Sequence, residues 1–311
     1  MDSTATKGRI LITGATGLVG QALIPVLVSK GYAVNALSRN KHSMQLPHVR
    51  FFQWDVSANQ LDAACLDGVS AIVHLAGENI AALPWSNHRK QLIRNSRIQP
   101  ILLLYDLLRQ RKNHGVTTVV SASASGYYGN RGNEWMTEDK SPAADFLGHT
   151  CRDWERAVET GRALGLRTVS LRSGVILSDQ GGIFTRFAGF IKKGLGTVPG
   201  TGKQWMPWIH VADAVAMYSF ALEHNGIHGV YNMLAPQPVT FSTFVHTLAK
   251  KMKKPLWLPH IPPFVLKAVM GQLSEMLLCS TRMSAEKIQN TGFTFRYPEI
   301  EGAMEALIPS P

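Results

Sequence analysis

Three glycines set the first chemical expectation. They lie in Thr13-Gly14-Ala15-Thr16-Gly17-Leu18-Val19-Gly20, between a run of β-branched residues and an apolar stretch with helical spacing. In a strand-to-helix turn of this kind Gly14 permits the tight reversal, Gly17 lets backbone approach a pyrophosphate, and Gly20 lets the helix pack closely. The helix start adds unsatisfied N–H groups and a partial positive charge, so Thr16, Leu18 and Val19 are expected against the same anion. A glycine pattern alone is weak, and its place at the head of a βαβ unit gives it weight. The next strand ends in Ser38-Arg39, where a site preferring NAD would place an acid for the ribose 2′-hydroxyl. A permanently charged guanidinium fork suits a 2′-phosphate instead, which predicts NADP(H) in preference to NAD(H). The competing reading of Arg39 is an ordinary surface arginine. After the third strand, Asp55-Val56 is placed to meet the adenine, unless Asp55 only caps the next turn. After the fourth, Leu75-Ala76-Gly77 leaves room for a cofactor over the strand's carboxyl end.

His210, in Trp208-Ile209-His210-Val211-Ala212-Asp213, has an intrinsic pKa suited to acid–base work. A lone histidine on a strand is also commonly structural, and Asp213 is expected to cap the following helix. Gly181-Gly182, Gln204-Trp205 and Trp208 offer aromatic surface for a flat or sugar-like ligand, or simply core.

The elements that must position these groups alternate. Strands are predicted at Arg9–Thr13, Ala33–Leu37, Arg50–Trp54, Ser70–Leu75, Thr117–Ser121 and Arg167–Ile176, with helices over Leu18–Lys30, Arg89–Arg111 and Thr150–Leu164. This is the pattern of a Rossmann-type α/β fold, a doubly wound parallel sheet. Residues 1–177 are expected to form the NADP-binding domain, its sheet completed by segments around 207–233. Residues 178–311 are expected to be mainly a smaller C-terminal substrate lobe of loops and short helices, with helices at Phe264–Leu278 and Ser284–Asn290.

Bulk properties exclude several classes. With 311 residues, 45% hydrophobic and 17% charged, the chain is an ordinary globular protein. No apolar run is long enough to span a bilayer and Met1 to Arg9 lacks a signal-peptide core, so a cytoplasmic location is expected. Three scattered cysteines, without CxxC spacing, suggest neither disulfides nor a metal site. The net charge of +11 comes from dispersed basic residues, which reads as a solvated surface and not as a nucleic-acid footprint. The expected partner is a small-molecule substrate, with the chain a monomer or homodimer.

TGATGLVG, HLAG, SASASGYYG and LRSGVIL, in this order, resemble the extended short-chain dehydrogenase/reductase superfamily of NAD(P)-dependent epimerases and dehydratases. HLAGENI, LRSGVILSDQGG and PWIHVADAV resemble its atypical YfcH-like branch, and residues 261–307, with Thr291-Gly292-Phe293 and Tyr297-Pro298, resemble that branch's small C-terminal domain. The resemblance implies a catalytic Tyr with a Lys four residues later, plus a Ser at the end of strand five. With Glu155 closing the motif, the Tyr position falls on Leu147 and the Lys position on Cys151. Neither residue does that proton chemistry. The resemblance assigns the serine to Ser123, with Ser125 as the alternative and Ser121 lining the cofactor; all three are otherwise a polar strand end. Stand-in acids and bases are Tyr127 or Tyr128, with Tyr128 preferred, and Glu78, which is otherwise paired with Arg94 or Arg97. Arg172, Ser173 and Gly174 are expected to pass over the nicotinamide. Two readings follow: an NADP-dependent epimerase or reductase of unknown substrate, or a catalytically weak cofactor-bound regulator, as members of this branch are linked to cell or plastid division.

Overall fold

The computed structural model describes residues 7–40, 46–82, 84–111 and 113–308. Most of the N-terminal stretch read above thus lies outside the described residues. In chain order the first half runs β1 Arg9–Thr13, α1 Leu18–Ser29, β2 Ala33–Ser38, β3 Val49–Asp55, β4 Gln60–Leu61, β5 Val69–His74, α2 Asn87–Gln110, β6 Thr118–Ala124, β7 Trp135–Met136, α3 Phe146–Glu159 and β8 Arg167–Ser173. The second half runs β9 Val175–Leu177, α4 Gly182–Lys192, β10 Trp205–Met206, β11 Trp208–His210, α5 Val211–Glu223, β12 Gly229–Met233, β13 Val239–Thr240, α6 Phe241–Lys251, α7 Pro263–Met270, α8 Glu275–Leu278, β14 Arg282–Met283, α9 Glu286–Gln289 and α10 Ile300–Leu307.

Eight strands form the main sheet in the order β12-β8-β6-β5-β1-β2-β3-β4. All pairings are parallel except the short β3–β4 ladder. The strands are apolar because both faces are covered: β2 is buried throughout, and β1 and β5 nearly so. One face packs under α1 and α5, where Ile10, Ile12, Leu23, Leu27, Val215 and Tyr218 share a core. The other packs under α2 and α3, through Leu11, Ile72, Ile101, Leu104, Tyr105 and Trp154. Strand order reverses on either side of β1, so the crevice at the carboxyl ends of β1 and β5 is the switch point where such sheets seat ligands.

The predicted sixth strand, Arg167–Ile176, is broken. At Gly174 a Cβ would lie 2.7 Å from the Pro207 carbonyl carbon and oxygen, so another backbone crosses there. Beyond the break β9 pairs with β11 instead of continuing the main sheet. Of the segments expected around 207–233 to complete that sheet, only β12 joins it, on β8. A third core, around Phe184, Trp208, Phe241, Phe244 and Met304, lies under α4, α6 and α10. α5 was foreseen only as a helix to be capped, and α6 and α10 were missed, although Phe241, Phe244, Val245 and Leu248 have helical spacing.

Candidate functional site

The glycine turn is built from its own backbone and from the residues that follow β5. Gly14 has φ of 65°, and a Cβ there would lie 2.6 Å from the Leu75 carbonyl oxygen, so only glycine fits. A Cβ at Gly20 would lie 2.6 Å from the Gly14 and Ala15 carbonyl oxygens, which presses the helix onto its own turn. Thr13 fastens the arrangement: its Oγ1 accepts from the Leu75 and Ala76 N–H groups at 3.0 Å each. The same oxygen lies 2.9 Å from His74 Nδ1, and His74 Nε2 lies 2.8 Å from the Arg97 carbonyl oxygen. Thr13 therefore donates its hydroxyl hydrogen to Nδ1, and Nε2–H donates to Arg97. Burial, with Arg97 nearby, drops the His74 pKa to about 4, so the ring is neutral at pH 7.

Above this turn α1 is left open. No side chain caps it at Gly17 and its first turn carries no acid, whereas Ser86, Asp145, His210 and Thr240 cap α2, α3, α5 and α6. Its first N–H groups have no acceptor within the helix. Thr16 and Gly17 are exposed and Leu18 and Val19 half-buried over them. An anion with several oxygens fits this cradle by charge and by hydrogen bonding. α4 likewise starts uncapped, on Gly181, where a Cβ would lie 3.8 Å from Leu18 Cδ1.

At the end of β2, Ser38 is buried and Arg39 projects with its side chain 79% exposed. Its Nη1 meets Glu78 Oε1 at 2.6 Å, and Arg89 holds the other Glu78 oxygen at 3.1 Å. Glu78 thus pairs with Arg39 and Arg89, not with Arg94, which binds Asp153, nor with the Arg97 side chain, which donates to the Glu78 carbonyl oxygen. Burial pushes the Glu78 pKa up, but hydrogen bonds and charge from Arg89 and Arg39 outweigh it and leave it below the usual range. A carboxylate held in that way is a poor general base at neutral pH. Gly77 is exposed beside the Arg97 side chain. Asp55 takes the capping geometry: its Oδ1 accepts from the N–H groups of Ser57 and Ala58, while Val56 is half-buried.

The polar groups at the carboxyl end of β6 are consumed by a buried network. Glu155 makes a two-pronged pair with Arg172, Oε1 to Nε and Oε2 to Nη2 at 2.8 Å each, and Ser123 Oγ donates to the same Oε1 at 2.6 Å. Arg172 also donates to the Tyr128 hydroxyl at 2.9 Å, and that hydroxyl donates to Asn232 Oδ1 at 2.7 Å. The Asn232 amide donates in turn to the Met136 and Ser284 carbonyl oxygens. These contacts, with that of Ser121, bear on four expectations. Tyr128 is fully buried with its pKa pushed up to about 12 by desolvation, so it does not face a nicotinamide. Arg172 is buried and its guanidinium is spent on Glu155, so that side chain is not free for a cofactor. Ser123 is buried and bound to Glu155, and Ser121 is buried with its hydroxyl on the Ala122 carbonyl oxygen. The half-buried hydroxyl left at this strand end is that of Ser125, the alternative. Ser173 is half-buried, its hydroxyl on the Ser123 carbonyl oxygen.

Beside Ser125, a Cβ at Gly126 would lie 3.2 Å from Leu147 Cβ and 3.8 Å from Cys151 Sγ. Leu147 and Cys151 therefore face the strand end together. Cys151 is buried, and desolvation first, then Glu155, push its thiol pKa up to about 12. His210 is engaged at one ring nitrogen, and among the described residues its Nε2 is buried without a partner. Its Nδ1 accepts from the Ala212 N–H at 3.0 Å and caps α5, its ring lies against Tyr297, and burial with the nearby Arg296 lowers its pKa to about 4. Asp213, expected to be that cap, instead accepts from the Arg296 and Tyr297 N–H groups at 2.8 and 2.9 Å. Trp208 is core, whereas Trp205 keeps surface. Among the described residues no group of acids, histidines and cysteines is arranged to hold a metal.

Residues 10–233 match the NAD dependent epimerase/dehydratase family. The chain belongs to that family. Residues 261–307 match a domain of unknown function, DUF1731, so the resemblance to an epimerase branch carrying a small C-terminal domain holds over both parts. This family member is 35% identical over 301 residues to the epimerase family protein YfhF of Bacillus subtilis, covering 96% of this chain and 98% of that one. It is similar in structure to a human epimerase family protein, SDR39U1, solved with NADPH: the TM-score is 0.84 at 28% identity, covering 96% and 98% of the two chains. A nucleoside-diphosphate sugar epimerase of Corynebacterium glutamicum gives a TM-score of 0.77 at 32% identity, over 96% of this chain and 58% of that one. The Rossmann-like fold is thus that of the epimerases, and among the described residues no helix is long and apolar enough to cross a membrane.

Proposed function

We propose that this protein binds NADP(H) in preference to NAD(H) and works as an epimerase-like or reductase-like enzyme without the usual Tyr–Lys pair. The observation that carries the reading is the uncapped, acid-free start of α1 beside the exposed guanidinium of Arg39. Gly14, Thr16, Gly17, Leu18 and Val19 would hold the pyrophosphate, and Ser38 and Arg39 the 2′-phosphate. Leu75, Ala76 and Gly77 would line the path over β5, with Val56 and Asp55 near the adenine and Ser173 and Gly174 at the nicotinamide end. The NADPH in the human relative supports the same cofactor. Bound there, the cofactor would supply hydride transfer. Ser125 is the hydroxyl best placed to hold a substrate oxygen, since Ser123 and Tyr128 are spent.

A second reading, a cofactor-bound regulator of little or no turnover, is favoured by one observation. The side chains that face the end of β6 are Leu147 and a thiol whose pKa lies near 12. The test is a fluorescence titration with NADPH and NADH, for the wild type and Arg39→Ala, followed by a screen for hydride loss over sugar nucleotides and small carbonyl compounds. NADPH preference that collapses in the variant supports the cofactor reading. Turnover that Ser125→Ala reduces supports the enzyme, and saturation with NADPH without any turnover supports the regulator.

A further inference from the structure

In the C-terminal domain Arg282 is held in an unusual way. Its guanidinium carbon lies 4.1 Å from the Trp135 ring centroid and 4.5 Å from that of Trp205. The two indoles flank it from opposite sides. Trp135 is its register partner in the β7–β14 ladder, and the neighbouring Thr281 N–H donates to the Trp205 carbonyl oxygen on the other edge. Strand alternation turns Met136, Met283 and Met206 into the core, and puts Trp135, Arg282 and Trp205 on the outward face. Trp205 is itself fixed by its Nε1–H on Asn133 Oδ1 at 2.9 Å.

This arginine has no acid partner among the described residues. Among the described residues its side chain makes no ion pair and no hydrogen bond, and its Nε is buried without a partner. Glu134, next to Trp135 in the chain, is taken by Lys140 at 2.9 Å. A charge clamped between two rings but not neutralised is pre-ordered for an incoming anion, and its planar fork matches a carboxylate or phosphate. The clamp is also tied to the end of β6: Thr281 Oγ1 donates to the Gly129 carbonyl oxygen and Ser280 Oγ to that of Gly132, in the loop that leaves β6 through Ser125–Tyr127.

We propose that Arg282, between Trp135 and Trp205, is the anion-recognition residue for the second ligand, which carries a carboxylate or a phosphate group. The proposal rests on the reading of a substrate-binding protein, but not on which cofactor fills the cleft. It is tested by calorimetric titration of malonate and of inorganic pyrophosphate, at constant ionic strength, into full-length protein saturated with NADP+. Wild type, Arg282→Gln and Arg282→Lys are compared.

The expected result is saturable binding of one probe by the wild type, about tenfold or more weaker in Arg282→Gln. NADP+ affinity stays unchanged in both variants. Malonate binding points to a carboxylate on the ligand, and pyrophosphate binding to a phosphate. Equal affinity in Arg282→Gln, or no binding of either probe by the wild type, overturns the proposal. If Arg282→Gln fails to fold, Arg282→Lys decides, since it keeps the charge and loses the fork; wild-type affinity in that variant overturns the proposal too. If NADP+ itself does not bind, the cofactor reading falls, and the same anion titration without it still decides the role of Arg282.

Discussion

Thr13 and His74 share one hydrogen bond that joins the glycine turn to its neighbouring strand, with the threonine hydroxyl donating to Nδ1 and accepting from the Leu75 and Ala76 N–H groups just beyond β5. A proton on Nδ1 would reverse that bond and leave the threonine hydrogen without an acceptor. The folded-state pKa of His74, about 4, lies below the ordinary 6.5, so neutral His74 is the form the fold requires. Stability is therefore intact above pH 6.5 and lost progressively as pH falls from there towards 4. The loss due to this buried ring is on the order of 3 kcal/mol. Urea unfolding between pH 4 and 7.5 checks it: the acid slope is expected to flatten in His74→Asn, and an unaltered slope would assign the effect to other groups. Thr13→Val is expected to cost about 1–3 kcal/mol at pH 7, because the Ala76 N–H and the His74 ring lose their partner, while the Leu75 N–H keeps the Thr13 carbonyl oxygen at 3.2 Å.

Glu78 competes with any phosphate for Arg39. The arginine end of that pair is well exposed, so breaking it costs little, about 0–1 kcal/mol. Glu78→Gln is accordingly expected to tighten NADPH up to about fivefold at low salt while leaving NADH unchanged, a difference that fades as salt screens the charges. Were Glu78 the general base, the same variant would instead abolish turnover with no gain in affinity. Paired titrations at two ionic strengths separate these outcomes.

How far the sequence could be read follows from the kind of interaction involved. The sheet, its helices and the glycine turn were legible because strand runs, helical spacing and turn glycines are local patterns. The exposed position of Arg39 was legible because it stands at a fixed place after β2, whereas its pairing with Glu78, 39 positions on, was not. The contacts of Ser123, Tyr128 and Arg172 were not, since they depend on the Glu155–Arg172 pair, and nothing in the sequence marks that Glu155 meets the arginine 17 positions on. Type and position made each residue plausible for chemistry, while the long-range ion pair determines where each side chain is engaged. The Asp213 role was hidden for the same reason: its partners Arg296 and Tyr297 lie 83 and 84 residues on.

The Glu155–Arg172 pair should behave as a structural element. Removing one partner leaves the other charged and buried, so Glu155→Gln or Arg172→Met is expected to cost about 3–5 kcal/mol. Ser123→Ala, which deletes one hydrogen bond to the same carboxylate, should cost about 1–3 kcal/mol. Chemical denaturation gives all three values. Ser123→Ala that is stable as wild type yet loses turnover would return Ser123 to the reacting atoms.

Asp213 is the tether between α5 and the end of the chain. Its two oxygens satisfy two adjacent backbone N–H groups of the segment that leads into α10, and the neighbouring His210 ring lies 4.0 Å from that of Tyr297. Asp213→Ala removes both acceptors at once from a part-buried contact, which is expected to cost about 1–3 kcal/mol, since the two donors lose their protein partner. Because the lost bonds belong to one segment, the damage should be local first. Limited proteolysis is expected to cut near Arg296 in the variant before the Rossmann sheet unfolds, with NADPH binding largely kept, as the glycine turn shares no hydrogen bond with Asp213. Hydrogen exchange read residue by residue checks the same point. Faster exchange confined to about residues 290–308 supports the tether, whereas uniform acceleration across β1, β5 and β6 would mean that Asp213 holds the whole fold together.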